Sequence, residues 1–199
     1  MSMRTAIQYT LKPPPENTMG ALYRPHLVHR LDRPTTGLLL CAKTKPSLLA
    51  LQRAFALGQV HKRYCAIVSG WVSPDAGQID SPVHGKQAST QWQVTARARS
   101  LKLGGGHLTM LSLYPKTGRH HQLRVHCSQI LKCPIVGDKA YGGEQVGSGL
   151  LLAAVELSFT HPSWPSDAQP LTVEYPLPTK FGNLMHREHL RWERLASSF

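Results

Sequence analysis

The chain has 199 residues, of which 41% are hydrophobic, so it is long enough to bury one sizeable core. It carries 23 lysines and arginines against 11 acidic residues, and the net charge of +12 favours a polyanionic partner such as RNA, although a basic structural protein would share it. No apolar run reaches the length of a membrane span. The four cysteines stand far apart and form no Cys-x-x-Cys pair, whereas disulfide frameworks occur in short, cysteine-dense chains, so the sequence predicts free thiols and a soluble, intracellular protein.

The first half of the chain contains an irregular stretch, a strand and a helix. Residues 1–25 carry several prolines and no sustained periodicity, which predicts an irregular lead-in before one domain over residues 26–199. The apolar run 38–42 predicts a strand buried on both faces. The stretch 46–58 begins with proline and ends with glycine, which predicts an amphipathic helix.

The rest of the chain reads as strands joined mostly by hairpins. Apolar and alternating patterns predict strands over residues 63–72, 90–98, 108–114, 150–159 and 171–175. Helical spacing predicts a helix over 123–131 and a terminal helix over 184–196. Five or six strands with a few helices indicate an α+β domain with a mixed or antiparallel sheet.

The stretch VHRLDRPTTGLLL, residues 28–40, places one carboxylate, Asp32, between the cations Arg30 and Arg33. Flanking cations keep a carboxylate ionised, as a nucleophile requires, and the following turn leads into a predicted strand that would hold it rigidly. A carboxylate also repels polyanions, so an acid in a chain that binds them is expected to have a specific role. The alternative is an ordinary turn aspartate paired with Arg33.

A second candidate region is PKTGRHHQLRVHCSQILKCPIVGDKAYGG, residues 115–143. Its Thr117-Gly118-Arg119 turn would bring basic groups and free backbone N–H groups to phosphates at a helix start. Arg124 lies at the margin of the apolar stripe of that helix, so it should be partly desolvated and need a partner, for which we expect Asp32. The alternative is an ordinary basic helix with a solvated face.

Tyr64 lies on a predicted strand beside Lys62 and Arg63. An aromatic ring among cations can stack on a nucleobase, although a strand tyrosine is often only a packing residue. Histidines and cysteines also cluster, but none has the Cys-x-x-Cys or His-x-x-x-His spacing of a zinc site, so we expect no metal. These residues are His120, His121, His126, Cys127 and Cys133.

These motifs together resemble the RluA-type RNA pseudouridine synthases. HRLDRPTTGLLL resembles the signature of that family, and the similarity continues in the family's order over about residues 26–178. The further matching segments are KRY (62–64), VSG (68–70), KQAST (86–90), KTGRHHQLRVH (116–126), PIVGDKAYG (134–142), the Leu-Leu-Leu-Ala-Ala strand and THP (160–162).

The resemblance implies a pseudouridine synthase-like α+β fold, with a mixed, mainly antiparallel sheet, flanking helices and a central active-site cleft. Such enzymes detach uracil from C1′ of a uridine in ribosomal or transfer RNA and rejoin it through C5, without cofactor or metal. It implies Asp32 as the nucleophile, Arg124 as its partner, and Tyr64 as the residue that stacks on the base and is a candidate acceptor of the C5 proton. The protein is expected to act on RNA as a monomer. Arg30 would help to extrude the nucleotide. The residues expected to bind RNA are Arg30, Arg33, Lys62, Arg63, Lys116, Arg119 and His121.

The chain departs from the family pattern near its start. The family usually has a strand with a Lys-Pro-x-Gly motif before the Asp32 signature, whereas Lys12-Pro13 is followed by further prolines. This strand is expected to be missing, so that the chain is a truncated product or completes its sheet in another way. The segment between Pro82 and Thr90 is also short, and Thr36 replaces the commoner serine. The alternatives are a catalytically inactive RNA-binding relative or fragment and a basic structural protein of a ribonucleoprotein.

Overall fold

The chain folds into two units of unequal size in the computed structural model, which describes residues 3–165 and 167–197. The first unit comprises Met1–Leu31, Leu38–His61 and Leu157–Val173. The second comprises Asp32–Gly37, Lys62–Glu156 and Glu174–Phe199. Every predicted site residue except Arg30 therefore belongs to the second unit. None of the described helices is both long and apolar enough to cross a membrane.

The first unit contains α1 (Met3–Thr10), β1 (Ala21–Leu27), β3 (Cys41–Thr44) and α2 (Lys45–Ala56), with β1 and β3 antiparallel. Helix α2 begins where the hydroxyl of Thr44 accepts a hydrogen bond from the backbone N–H of Ser47, with a proline in the first turn, as the sequence predicts. The unit has its own apolar cluster, which includes Val28, Ala42, Leu51, Val60, Leu157 and Phe159.

Two sequence predictions for the first unit differ from the structure. The predicted irregular lead-in contains α1 and β1, which gave no periodic signal because α1 is short and β1 is mostly exposed and interrupted by Pro25. The apolar run 38–42 is not a strand over its first three residues. The carbonyl of Leu40 instead accepts from the N–H of Val28, its own N–H donates to the ring of His29, and the regular strand begins at Cys41.

A mixed sheet carries the predicted site, and its strands are β2 (Thr36–Gly37), β4 (His61–Ser69), β5 (Ala76–Asp80), β6 (Ser89–Arg99), β7 (His107–Pro115), β8 (Leu152–Phe159) and β9 (Leu171–Glu174). Their order is β2-β8-β4-β7-β6-β5, with β9 beside β8. The pairs β4–β7, β6–β7 and β5–β6 are antiparallel, and β2 runs parallel to β8. This confirms the predicted α+β class and mainly antiparallel sheet.

The two faces of β4 pack against different helices. Ala66 and Val68 join a cluster with α3 (Gln122–Val125) and the π-helix that continues it (His126–Ile130). Cys65 and Ile67 point to the opposite face, where α4 (Thr179–Ala196) packs. Tyr64 alternates with Cys65 and packs against the α3 cluster, so its ring lies on the α3 face of the sheet.

Three elements of this unit differ from their predicted form. β5 falls in a stretch without a strand signal, because it is an edge strand with four of its five residues exposed. The helix predicted over 123–131 is α-helical for only four residues before it widens into the π-helix, since the apolar spacing does not distinguish the two forms. The terminal helix begins at Thr179, five residues earlier than predicted.

Gly37 joins the segment that carries Asp32 to the central sheet. Its φ is +115°, and a Cβ atom placed on it would lie 2.1 Å from the carbonyl oxygen of Ala154, its neighbour across the β2–β8 pair. Only glycine allows both this conformation and this approach. Gly182 in α4 offers a matched position, where an added Cβ would meet nothing within 4 Å.

We expect Gly37→Ala to lower the free energy of unfolding by at least about 2 kcal/mol, because it adds both backbone strain and a clash with the neighbouring strand. Gly182→Ala, in a helix interior, should raise it by about 0.5–1 kcal/mol. Urea unfolding of the two variants beside the parent measures both effects. Equal stability of all three proteins would contradict the role given to Gly37.

Candidate active site

The catalytic candidate Asp32 lies on a short segment that leads directly into β2. The backbone N–H of Thr35 donates to the carbonyl of Asp32 at 2.9 Å and closes a turn. Thr36 and Gly37 then pair with Ala153 and Ala154 of β8, both of which are buried. Asp32 is therefore only a few residues along the chain from a segment that is anchored in the buried core, as the sequence predicts.

A buried ion pair lies beside Asp32. Arg124 of α3 donates from Nε and Nη2 to the two carboxylate oxygens of Asp138, both at 2.7 Å. The side chains are only 7% and 0% exposed. These hydrogen bonds raise the pKa of Arg124 above its usual value. Such a bidentate pair fixes the guanidinium plane as well as its position.

Asp32 is flanked by a nitrogen-bearing side chain at each carboxylate oxygen. Nη1 of Arg124 lies 3.8 Å from Oδ2, and Nε2 of His121 lies 3.8 Å from Oδ1. Both distances are about 1 Å longer than a charge-assisted hydrogen bond. The carboxylate is therefore held in a favourable field without having its oxygens consumed by close contacts, which suits a nucleophile.

His121 takes part in a second contact with the same cluster. Its Nδ1 lies 2.9 Å from the hydroxyl of Tyr141, and the ring centre of Tyr141 lies 4.9 Å from the guanidinium carbon of Arg124. Burial lowers the pKa of His121, and the charge of Arg124 adds to this against the opposing effect of Asp32. The imidazole is therefore neutral at physiological pH. Its backbone is left-handed, with φ of +56°, an uncommon conformation that is concentrated at functional sites.

The side chain of Gln122 fixes the loop that precedes α3. Its amide oxygen accepts hydrogen bonds from the hydroxyl of Thr117 and the backbone N–H of Arg119, and its amide nitrogen donates to Ser89 and Thr90 of β6. A fully bonded buried amide is favourable where an unbonded one would be costly. This arrangement joins the basic loop to the sheet and helps to place the neighbouring His121 beside Asp32.

Tyr64 faces the cluster from β4. Burial, and then the negative charge of Asp32, raise the pKa of its hydroxyl to about 12. The hydroxyl is therefore protonated at physiological pH, and the ring lies close enough to Asp32 to feel its charge. The structure thus brings Asp32, Tyr64 and Arg124 together, as the sequence predicts.

The residues predicted to bind RNA have different surroundings. Lys62 is half-buried, and burial followed by the charge of Lys116 lowers its pKa. Lys116, Arg119 and Arg33 are exposed in the second unit, and Arg30 is exposed in the first. Nε of Arg119 donates to the carbonyl of Gln87 at 2.9 Å.

Arg63 differs from these cations because it already has acidic partners. Its Nε lies 2.8 Å from Glu156, and its Nη2 lies 3.9 Å from Glu174. Much of its charge is therefore balanced within the protein. Its contact with RNA stays a prediction.

The comparisons with known proteins agree with this geometry. The family model described as RNA pseudouridylate synthase matches residues 14–129, more than half of the chain. The chain belongs to this family. Members of the family are isomerases that act on RNA, so the resemblance drawn from the sequence motifs is confirmed, as is RNA as the class of partner.

Individual relatives match over much of the chain. An uncharacterized RNA pseudouridine synthase of Zymomonas mobilis is 36% identical over 80% of this chain and 76% of its own length. The dual-specificity RNA pseudouridine synthase RluA of Vibrio vulnificus is 41% identical over 68% of this chain, which spans only 60% of that relative. The structure of human RNA pseudouridylate synthase domain containing 4 superimposes with a TM-score of 0.65, at 28% identity over 82% of this chain and 76% of that one.

Sequence reasoning missed two members of the cluster, Asp138 and Tyr141. The signal that identified Asp32, an acid at a turn in an acid-poor chain, also marks Asp138 in VGDKAYGG. The expected partner of Arg124 is Asp32, and the structure places it at 3.8 Å, whereas Asp138 lies closer, at 2.7 Å. Arg124 is also more deeply buried than a marginal helix position suggests.

The predicted absence of a metal site can be compared with the positions of the histidines. Asp32, His120 and His121 bring one ligand atom each to within 4.8 Å of one another. The two imidazole rings are stacked, with centroids 3.7 Å apart and planes 25° apart, so their nitrogen lone pairs lie in nearly parallel planes. Zinc requires ligands that converge at about 2.0–2.1 Å, which this arrangement does not offer. A metal-free reaction stays a prediction.

The other predicted metal-type residues have structural contacts. His126 is buried, and its two ring nitrogens lie 3.0 Å from the hydroxyl of Thr90 and the carbonyl of Ser81. Cys127 and Cys133 belong to the apolar cluster beneath α3. The histidine and cysteine pattern of this segment is therefore accounted for by packing and hydrogen bonding around the π-helix.

We expect Asp138→Asn to destabilise the protein by about 3 kcal/mol, because it leaves the buried charge of Arg124 without its counter-ion. Glu156→Gln, which removes the acid from the more exposed Arg63 pair, should cost less than about 1 kcal/mol. Chemical unfolding of both variants gives the comparison. A similar small effect for both would show that the Arg124–Asp138 pair is not the stronger constraint.

Proposed function

We propose that this chain isomerises uridine within RNA to pseudouridine, with Asp32 as the nucleophile. The observation that carries the proposal is the cluster of Asp32, Arg124 and Tyr64 on one face of the sheet. Asp32 is flanked at 3.8 Å on both oxygens, and the raised pKa of Tyr64 reflects, after burial, the proximity of that carboxylate. A chain that only binds RNA would gain nothing from a carboxylate kept open in this way.

The reaction breaks the bond from N1 of uracil to C1′ of the ribose and forms a bond from C5 to the same carbon. C5 loses a proton and N1 gains one, so the atoms balance without an oxidant, a reductant or a cofactor. Asp32 would act on the nucleotide by covalent attack at C1′ or C6, or by assisting elimination to a glycal. In each case Arg124 stabilises the carboxylate before and after the step by its fixed positive charge.

Tyr64 is proposed to stack on the flipped base. Its hydroxyl keeps its proton at physiological pH, so it is a poor acceptor for the proton that leaves C5. The neutral imidazole of His121, on the other side of Asp32, is a second candidate for that role. An uncharged base between a neutral ring and a paired carboxylate avoids the cost of burying a further charge.

Base extrusion costs a few kcal/mol, and contacts to phosphates offset this cost. Lys62 and Lys116 lie close enough for one charge to lower the pKa of the other, which marks a position where an anion would be favourable. Together with Arg119 and Arg33 they would hold the RNA backbone near Asp32. Arg30 is proposed to fill the space that the extruded base leaves in the RNA.

The finer substrate is proposed from the relatives. One relative is named a dual-specificity synthase, and others are named for the large ribosomal subunit. We propose ribosomal or transfer RNA as the substrate class for this chain. The cluster around Asp32 is supplied by one chain, which supports action as a monomer, and an RNA substrate supports an intracellular site of action.

We expect Asp32→Asn to abolish turnover, by at least about 10³-fold, because it removes the nucleophile. Its RNA affinity should be equal or slightly higher, since one negative charge is lost near the phosphates. The measurement is release of tritium to water from RNA labelled at C5 of uracil, with binding followed in parallel. Asp80→Asn makes the same charge change at an exposed position of β5 and should leave turnover intact.

Absence of tritium release by the folded parent protein from both ribosomal and transfer RNA would contradict the proposed activity. It would favour the inactive RNA-binding alternative if RNA affinity were retained. Release by Asp32→Asn at the parent rate would contradict the assignment of the nucleophile alone.

We expect the turnover of the parent to be nearly independent of pH between about 6.5 and 8.5, because neither the protonated Tyr64 nor the neutral His121 changes its charge there. Tyr64→Phe should retain stacking and lose less activity than Tyr64→Ala. If the phenolate were the base, the rate would rise about tenfold per pH unit towards its pKa, and this slope would vanish in Tyr64→Phe.

A further inference from the structure

A groove of about 850 Å³ opens in the second unit between the last residues of β6 and the C-terminal half of α4. Its lining is rich in aromatic and cationic side chains, and none of the predicted site residues contributes to it. The residues that matter here are Trp71, Arg97, Arg99, His189, Trp192 and Glu193. We call this the tryptophan groove.

The tryptophan groove lies at the opposite end of the strands from Tyr64. In the antiparallel pair of β4 and β7, Tyr64 is opposite Leu113, and Ser69 is opposite Leu108. Arg99 of β6 is opposite His107, one residue further on. Arg97, the lining residue of β6 nearest that level, is opposite Thr109, four residues from Leu113. At about 3.3 Å per residue, the groove therefore begins about 13 Å along the sheet from the Tyr64 level. It is therefore a separate surface from the candidate active site.

The groove exists because β6 is longer than its outer neighbour. β5 pairs with β6 only as far as Gln93, and a β-bulge follows between Val94 and Ala96. In the part of the chain that the structure describes, no further strand lies on the outer side of the stretch that ends at Arg99. Trp71 and Trp192 flank this uncovered end, and arginines on an edge disfavour the addition of another strand.

Trp71 is held by neighbouring side chains and stays partly exposed. The guanidinium carbon of Arg97 lies 4.5 Å from the Trp71 ring centre, and Arg97 is fixed in turn by hydrogen bonds to Asp75 and to the carbonyl of Val72. The ring of His107 meets Trp71 edge-on at 5.2 Å. With these contacts Trp71 remains 55% exposed, so part of its ring is accessible to a ligand.

Arg99 supplies a charge without a counter-ion. Its guanidinium carbon lies 4.7 Å from the ring centre of Trp192, but no carboxylate of the described residues lies within 4.0 Å of it. Asp75 is already paired with Arg97, and Oε1 of Glu193 lies 3.2 Å from Nε2 of His189. The groove therefore offers a half-exposed tryptophan ring and, beside it, one cation that has no acidic partner among the described residues.

We propose that the tryptophan groove binds a single-stranded segment of the RNA substrate, with a base stacked on Trp71 and a phosphate at Arg99. Aromatic platforms beside arginines are how proteins bind single strands without reading their sequence. The proposal rests on the proposed function only in taking RNA as the partner. It adds a second contact that would favour substrates with unpaired nucleotides next to the folded target region.

The test measures RNA affinity in the Asp32→Asn background, so that binding is read without turnover. Two RNAs share one stem-loop, and only one carries a single-stranded flank of about ten nucleotides, within the range of known single-strand site sizes. We expect Trp71→Ala to weaken binding of the flanked RNA by about 5- to 100-fold, and Trp71→Phe, which keeps an aromatic face, to weaken it much less. Arg99→Gln should reduce the slope of log affinity against log salt by about one.

Two exposed positions in the first unit serve as controls. Trp164, which is 44% exposed, and Lys43 lie outside the groove, so Trp164→Ala and Lys43→Gln should leave the preference for the flanked RNA unchanged. Equal affinity of the parent for the two RNAs, or an unchanged preference in both Trp71→Ala and Arg99→Gln, would overturn the proposal. Self-association of the parent that Trp71→Ala abolishes would overturn it in favour of a second copy as the occupant.

This design separates the groove from the proposed chemistry. If the flanked RNA binds through Trp71 while the protein with intact Asp32 releases no tritium, the synthase proposal fails and the groove stands. If tritium is released and the flank has no effect on affinity, the synthase proposal stands and the groove proposal fails.

Discussion

The buried ion pair between Arg124 and Asp138 is the interaction on which the candidate active site depends. Removing a guanidinium and a carboxylate from water is costly, and only close, bidentate geometry offsets the cost. Because Asp138 takes two donors of Arg124 at 2.7 Å, Asp32 is not drawn into the same close contact and stays at 3.8 Å. With His121 neutral, one positive and two negative charges leave the cluster with a net negative charge. That remaining charge belongs to the proposed nucleophile.

The backbone is shaped to allow this arrangement. The cluster draws on four separate segments: the turn before β2, strand β4, the start of α3 and the loop after the π-helix. The loop that carries Asp138 is tight, with the N–H of Gly143 donating to the Asp138 carbonyl at 2.7 Å. A Cβ on Gly143 would lie 1.9 Å from the carbonyl oxygen of Ile135, so only glycine closes the loop here. The position of the counter-ion of Arg124 therefore depends on a residue that carries no side chain.

Much of this could be predicted from the sequence, and the failures share a cause. Alternation and apolar runs located β4, β6, β7 and β8, because each has at least one buried face. β5 and α1 could not be predicted because both are short and β5 is mostly exposed. Asp32, Tyr64 and Arg124 could be placed from motifs. The same signal marks Asp138 as a candidate, but its pairing with Arg124 could not be predicted, since it depends on how a loop folds back over the helix, which periodicity does not encode.

The formal charge of +12 does not describe a uniform basic surface. Arg63, Arg97 and Arg124 each have an acidic partner, so they shape the protein more than they attract phosphates. Three cations that have no such partner among the described residues fall in different places: Lys62 and Lys116 near the Tyr64 end of the sheet, and Arg99 at the other end. Because β7 lies between β4 and β6, these cations are separated both along the strands and across them. The pairing of β4, β7 and β6 therefore sets the distance that an RNA would have to span to contact both ends.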